Sequence, residues 1–213
     1  MTPGALATTL GALNQFAAKR RRAAETCELC GVELAGDHPH LVDPKARKLL
    51  CSCPACSLLF GSQAGSKYKP CSRRIRYLAG FRLTDAEWAS LMIPINMAFF
   101  FISSPEARVV AQYPSPAGAT ESQLPLDTWS DLVAENPVLA DMESDVEALL
   151  VNRLGPARGY SDPEYYLLPI DECYKLVWLI RAHWKGLSGG ADVWKELESY
   201  FVDLRAQSGA VHA

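Results

Sequence analysis

Two cysteine pairs set the first constraint on this chain. Cys27-Glu28-Leu29-Cys30-Gly31 and Cys53-Pro54-Ala55-Cys56 each place two thiols two residues apart, with residues 31 to 52 between the pairs. At that spacing two thiolates converge on one metal while the intervening N–H groups donate to sulfur. A glycine after the second cysteine lets the backbone turn at positive φ. Two such pairs supply the four donors of a tetrahedral site, so Cys27, Cys30, Cys53 and Cys56 are the expected ligands of one ion, zinc first and iron second. Four protein donors leave no open position, which makes the expected site structural.

The same stretch carries spare donors: Cys51, His38 and His40. Cys51 can replace Cys53 or Cys56; its plainer reading is a small buried residue on a strand from Lys48 to Cys53. The plainer reading of the two histidines is a solvated loop. The Cys-x2-Cys-Gly knuckle with a later Cys-Pro-x-Cys resembles rubredoxin, whose iron shuttles single electrons. Here Ser57 stands where rubredoxin has a glycine, and the spacer is shorter. The first knuckle, His38-x-His40 and the second pair also resemble HNH nucleases, although nothing aims either histidine at a metal-bound phosphate.

Charge divides the chain. Residues 1–80 hold 12 Lys and Arg against 5 Asp and Glu, a surplus of +7, whereas residues 81–213 hold 9 against 19, or −10. This supports an N-terminal basic helix or arm over 1–22, a metal module over 23–80 and an α+β domain over 81–213. A basic module can face an acidic protein or nucleic acid. The strip Lys67, Lys69, Arg73, Arg74 and Arg76, with Tyr68 and Tyr77, has the composition of a nucleic-acid contact. The plainer reading is a face paired with the chain's own acidic part. The longest apolar stretch, Met97 to Ile102, is far short of the ~20 residues of a membrane span. No apolar stretch backs the Lys19–Arg22 run as in a secretory signal, and the seven cysteines suit a reducing compartment, so the cytoplasm is the expected location.

The remaining pattern is α+β: a zinc-ribbon or rubredoxin-like module, then a small antiparallel sheet with packed helices. Thr84 and Glu87 form a capping-box pattern opening a short helix. Ile95–Ser103 and Arg108–Tyr113 read as a hairpin, Pro114–Thr120 as a loop, and Leu126 opens a helix broken at Asn136-Pro137. Val146–Val151 reads as a strand, with a helix continuing from Val138 as the alternative, and Tyr165–Pro169 reads as a strand. Cys173, Leu176, Val177 and Ile180 follow helical spacing, and Val193 to Leu204 marks another amphipathic helix. Gly186-Leu187-Ser188-Gly189-Gly190 matches G-x-S-x-G, but a helix precedes it where a nucleophile elbow needs a strand. Asp171-Glu172 reads as a dipole-complementing first turn, His183 as a helix-end residue and Cys173 as packing.

Several strings together are similar to an uncharacterised bacterial family: the first knuckle, His40-Leu41-Val42-Asp43, Leu49-Leu50-Cys51, the second knuckle, Tyr113–Ser122, Leu149–Arg153 and Trp184–Gly190. The similarity runs from Cys27 to about Leu204. Genes of that family tend to lie near [NiFe]-hydrogenase genes. The resemblance therefore implies an accessory role in hydrogenase maturation or electron transfer, with a hydrogenase subunit or maturation factor as partner.

Overall fold

The computed structural model describes residues 25–61, 63, 65–122, 126–155, 162–186 and 189–212. The expected helix within 1–22 and the serine at 188 lie outside these residues. Strands His40–Asp43 (β1) and Lys48–Cys51 (β2) pair antiparallel, helix Pro54–Gly61 (α1) follows, and Lys69–Pro70 (β3) adds to the far side of β1. Arg76–Ala79 (β4) already belongs to a second sheet. The chain continues through Asp85–Ser90 (α2), Met97–Ser103 (β5), Arg108–Ser115 (β6), Gly118–Ser122 (β7), Leu126–Glu135 (α3) and a 3-10 turn at Pro137–Asp141. Glu147–Asn152 (β8), Glu164–Pro169 (β9), Ile170–His183 (α4), Gly190–Gln207 (α5) and Gly209–His212 (β10) complete it.

The larger sheet has seven strands in the order β10-β4-β9-β8-β5-β6-β7. Its pairings are antiparallel except β10 with β4, so the expected small antiparallel sheet is in fact large and mixed. Period-two alternation explains its two cores. Phe99, Phe101, Leu150, Tyr166 and Leu168 face α4 and α5, meeting Cys173, Leu176, Val177, Leu197 and Phe201. Ala98, Phe100, Leu149, Val151 and Leu167 face the other way, onto Trp88 of α2, Leu132 of α3 and Leu139 of the 3-10 turn. Buried on both faces, β5 and β8 carry unbroken apolar stretches, Met97–Ile102 and Ala148–Val151.

The local signals place their elements well. Thr84 Oγ1 accepts from the Glu87 N–H while the Glu87 carboxylate accepts from the Thr84 N–H, which closes the capping box of α2. Pro114–Thr120 is not a loop. β6 runs through Ser115 and turns back at Gly118, whose φ of 131° suits glycine. The Ser115 hydroxyl accepts from the Ala117 N–H and donates to the Gly118 carbonyl, closing the turn. Pro114 lies beyond the last β5–β6 pair, Phe99 with Gln112, so its missing N–H costs that ladder nothing. Between α4 and α5, Gly189 lies at φ 87°, where an added Cβ would meet Val193 at 2.8 Å and Trp184 at 3.2 Å.

Candidate metal centre

The first knuckle is a tight backbone turn tied to β2. Gly31 donates to the Cys27 carbonyl and Cys27 to the Val32 carbonyl, both at 2.8 Å, with Gly31 at φ 78°. Glu28 fastens this turn to β2. Its N–H donates to the Cys51 carbonyl, its carboxylate accepts from the Cys51 N–H at 2.9 Å, and Lys48 reaches it at 2.7 Å. The Lys48 ammonium holds the Glu28 carboxyl below the usual range, burial opposing and the Cys51 N–H assisting.

The second knuckle opens a helix. Cys53 precedes Pro54, the first residue of α1, and its sulfur accepts from the Cys56 N–H at 3.4 Å, as an N-cap side chain would. Because the chain enters α1, no positive-φ glycine is needed at Ser57. This is the physical reason for the departure from the rubredoxin pattern.

The two knuckles converge. The sulfurs of Cys27, Cys30, Cys53 and Cys56 all lie within 4.8 Å of one another, and Cys30 and Cys53 are 3.8 Å apart. A Zn–S bond of about 2.3 Å puts the sulfurs of a regular tetrahedron about 3.8 Å apart. The four thiols therefore can hold a metal ion with little movement. Cys27 and Cys56 are buried, while Cys30 is exposed. Burial opposes the Cys27 thiolate, but the N–H groups of Cys53, Leu29 and Cys30 and the Cys30 thiol outweigh it, lowering its pKa to about 6. Burial pushes Cys56 up to about 12, with the neighbouring cysteines adding to the rise.

Cys51, His38 and His40 lie outside this sulfur group. Their ligand atoms form a separate group, also within 4.8 Å of one another. Nor are the histidines solvated: the His38 side chain is 6% exposed and that of His40 25%. The reason is tertiary. His40 starts β1 opposite Cys51, and the body of the protein, through Asp171 at the first turn of α4, covers it at 2.8 Å. Sequence reasoning gave Asp171 only a helix-dipole role. Its contact with His40 spans 131 positions, and no local signal marks it.

The basic strip is matched by carboxylates. Lys67 pairs with Asp43, Lys69 with Asp145, Arg73 with Asp37, and Arg74 and Arg76 both approach Glu147. Lys69, Arg74 and Arg76 thereby bind the N-terminal part to the acidic body. Cys173 is fully buried against the sheet, and burial pushes its thiol well up. His183 Nδ1 lies 3.2 Å from the Leu179 carbonyl at the end of α4. The segment before Gly186 is helical, as a nucleophile elbow is not.

Among the described residues no helix is long and apolar enough to cross a membrane. The model of a family of unknown function matches residues 26–208, which span the sulfur cluster and six of the seven strands of the larger sheet, all but β10. Neither a curated protein nor a solved structure matches the chain.

Proposed function

The chain belongs to DUF5947, a family of unknown function, and from that premise we propose that it is a non-enzymatic, zinc-binding accessory protein acting through a protein partner. The observation that carries this reading is the closed set of four sulfurs around Cys30 and Cys53, 3.8 Å apart. Zinc filled by four protein donors has no position for a substrate, so its work is to hold the two knuckles together. Zinc is preferred to iron because the second pair runs into α1 instead of repeating the glycine turn of rubredoxin.

Support for a partner comes from the surface beside the cluster. Leu58, Leu59 and Phe60 of α1 are 75%, 57% and 40% exposed, and Val32 of the first knuckle is 50% exposed. Large apolar side chains grouped at a surface mark contact sites. The resemblance stated above supplies the partner class, a [NiFe]-hydrogenase subunit or maturation factor. The exposure of Cys30 favours one second reading, a rubredoxin-like iron carrier whose electron passes through an exposed ligand. Pairing of the basic strip removes much of the support for a nucleic-acid regulator.

The test uses the full chain as purified. Elemental analysis should find zinc with no visible absorption, and calorimetry against purified hydrogenase subunits and maturation factors should find binding that Leu59→Asp weakens at least tenfold. Iron with thiolate charge-transfer bands replaces the reading by the electron carrier. Zinc without binding to any of these proteins rejects the partner class.

A further inference from the structure

We infer that His38, His40 and Cys51 form a second metal site, separate from the four-cysteine cluster, that takes a divalent ion of the zinc type on two imidazoles and one thiolate. Three observations point to it, and none depends on the accessory reading above.

The first is convergence. The ligand atoms of the three residues lie within 4.8 Å of one another, and the two rings are 4.8 Å apart at 59° rather than stacked. The fold fixes this arrangement. His40 and Cys51 are cross-strand partners in the β1–β2 ladder. The carbonyl of Pro39, between the histidines, accepts from both the N–H and the hydroxyl of Ser52 at 3.0 Å.

The second is ring polarity. His38 Nδ1 lies 2.9 Å from the carbonyl of Ala35, and His40 Nδ1 lies 2.8 Å from the Asp171 carboxylate. A carbonyl and a carboxylate can only accept, so each Nδ1 carries a proton, and in the neutral ring Nε2 is the nitrogen left with a lone pair for a metal. An outer acceptor that fixes a histidine in this way is the common second shell of a metal ligand, and it raises the basicity of the nitrogen that binds.

The third is an unpaid demand. His38 Nε2 is buried with no hydrogen-bond partner, on a side chain 6% exposed. A buried ring nitrogen left without a partner is unfavourable, because folding has removed its water and supplied nothing in return. A cation between the imidazoles and the Cys51 thiolate satisfies that lone pair and explains why two histidines and a cysteine are gathered here.

The donor set differs in kind from the tetrathiolate. Three protein ligands leave the fourth tetrahedral position for water or a small exogenous ligand. His38 and His40 line an open cleft of about 450 Å³, together with Asp171, Arg73 and Lys175, which gives such a ligand a route in. The second site is thus the exchangeable one of the two.

The experiment is an anaerobic Co²⁺ titration of the metal-stripped full chain, followed by absorption. The wild type should take two equivalents, one with the bands of a tetrathiolate and one whose ligand-field bands shift on adding azide. His38→Gln/His40→Gln should take only the tetrathiolate equivalent; its retained bands report that the knuckles still fold. Asp171→Asn, which leaves all three donors in place, should weaken the second equivalent alone by about 10–100-fold. One equivalent in the wild type, or two in the double histidine variant, overturns the site. An azide-insensitive second equivalent overturns the open position.

Discussion

Cys30→Ser removes one donor from the sulfur cluster, and its effect should be regional. Apart from Cys27 and Cys56, the buried apolar side chains among the described residues between 25 and 71 are Leu41, Val42 and Leu50. Burying such a side chain stabilises by about 1.5–3 kcal/mol. A structural zinc in a small unit contributes about 10–16 kcal/mol. The metal therefore outweighs the local core, and losing it should lower the opening free energy of this region by at least about 4 kcal/mol. At about 1.4 kcal/mol per tenfold, amide protection there falls about a thousandfold. Hydrogen exchange read by mass spectrometry on the full chain checks this peptide by peptide, with zinc content measured beside it. Peptides across the two knuckles and β1–β2 should exchange freely. Those of β5, β8 and α4 should stay protected, because both faces of the large sheet are packed without help from the cluster. A variant that keeps its zinc and its protection over residues 26–56 would falsify the assignment of Cys30 as a ligand.

Two further outcomes follow from buried polar groups. Asn136 is fully buried, its side chain accepting from the Arg82 N–H at 2.8 Å and donating to the carbonyls of Arg82 and Leu132. Asn136→Ala leaves these groups unpaired and should cost about 2–4 kcal/mol in urea unfolding; a loss under about 0.5 kcal/mol would remove its role as the latch between α3 and the Arg82 segment. Burial opposes the charge of Asp145, but Lys69 and the hydroxyl and N–H of Ser104 outweigh it and hold its carboxyl below the usual range. A depressed folded pKa gives stability that is complete above the unfolded value, near 3.9, and is lost as pH falls through the folded one. Asp145→Asn should therefore flatten the acid limb of stability below about pH 4. Asparagine tolerates the φ of 73° found here, so the change adds no backbone strain while removing the charge and one of the two acceptor oxygens; an unchanged acid limb would show that the pair contributes nothing.

The sequence by itself determined whatever is written in short-range chemistry. The Cys-x2-Cys spacing put four sulfurs on two turns that converge, the Thr84–Glu87 pattern opened α2, and the Phe-rich run with its partner Arg108–Tyr113 made the β5–β6 hairpin. Periodicity likewise marked α4 and α5, because a helix buries one face and shows it every 3.6 residues. Tertiary structure alone decided the rest. Residues 209–212 carry too few side chains to announce a strand, yet they pair in parallel with β4, since only the assembled sheet offers that edge. Lys69 of β3 meets Asp145 because the β1–β3 sheet docks on the acidic body, and Arg76 meets Glu147 because β4 joins the same sheet as β8. His38 and His40 looked like solvated loop residues; the fold half-buries both, and α4 brings Asp171 against His40 from 131 positions away. Spacing and period act over a few residues, whereas burial and the choice of polar partner are settled by which distant segments share the interior.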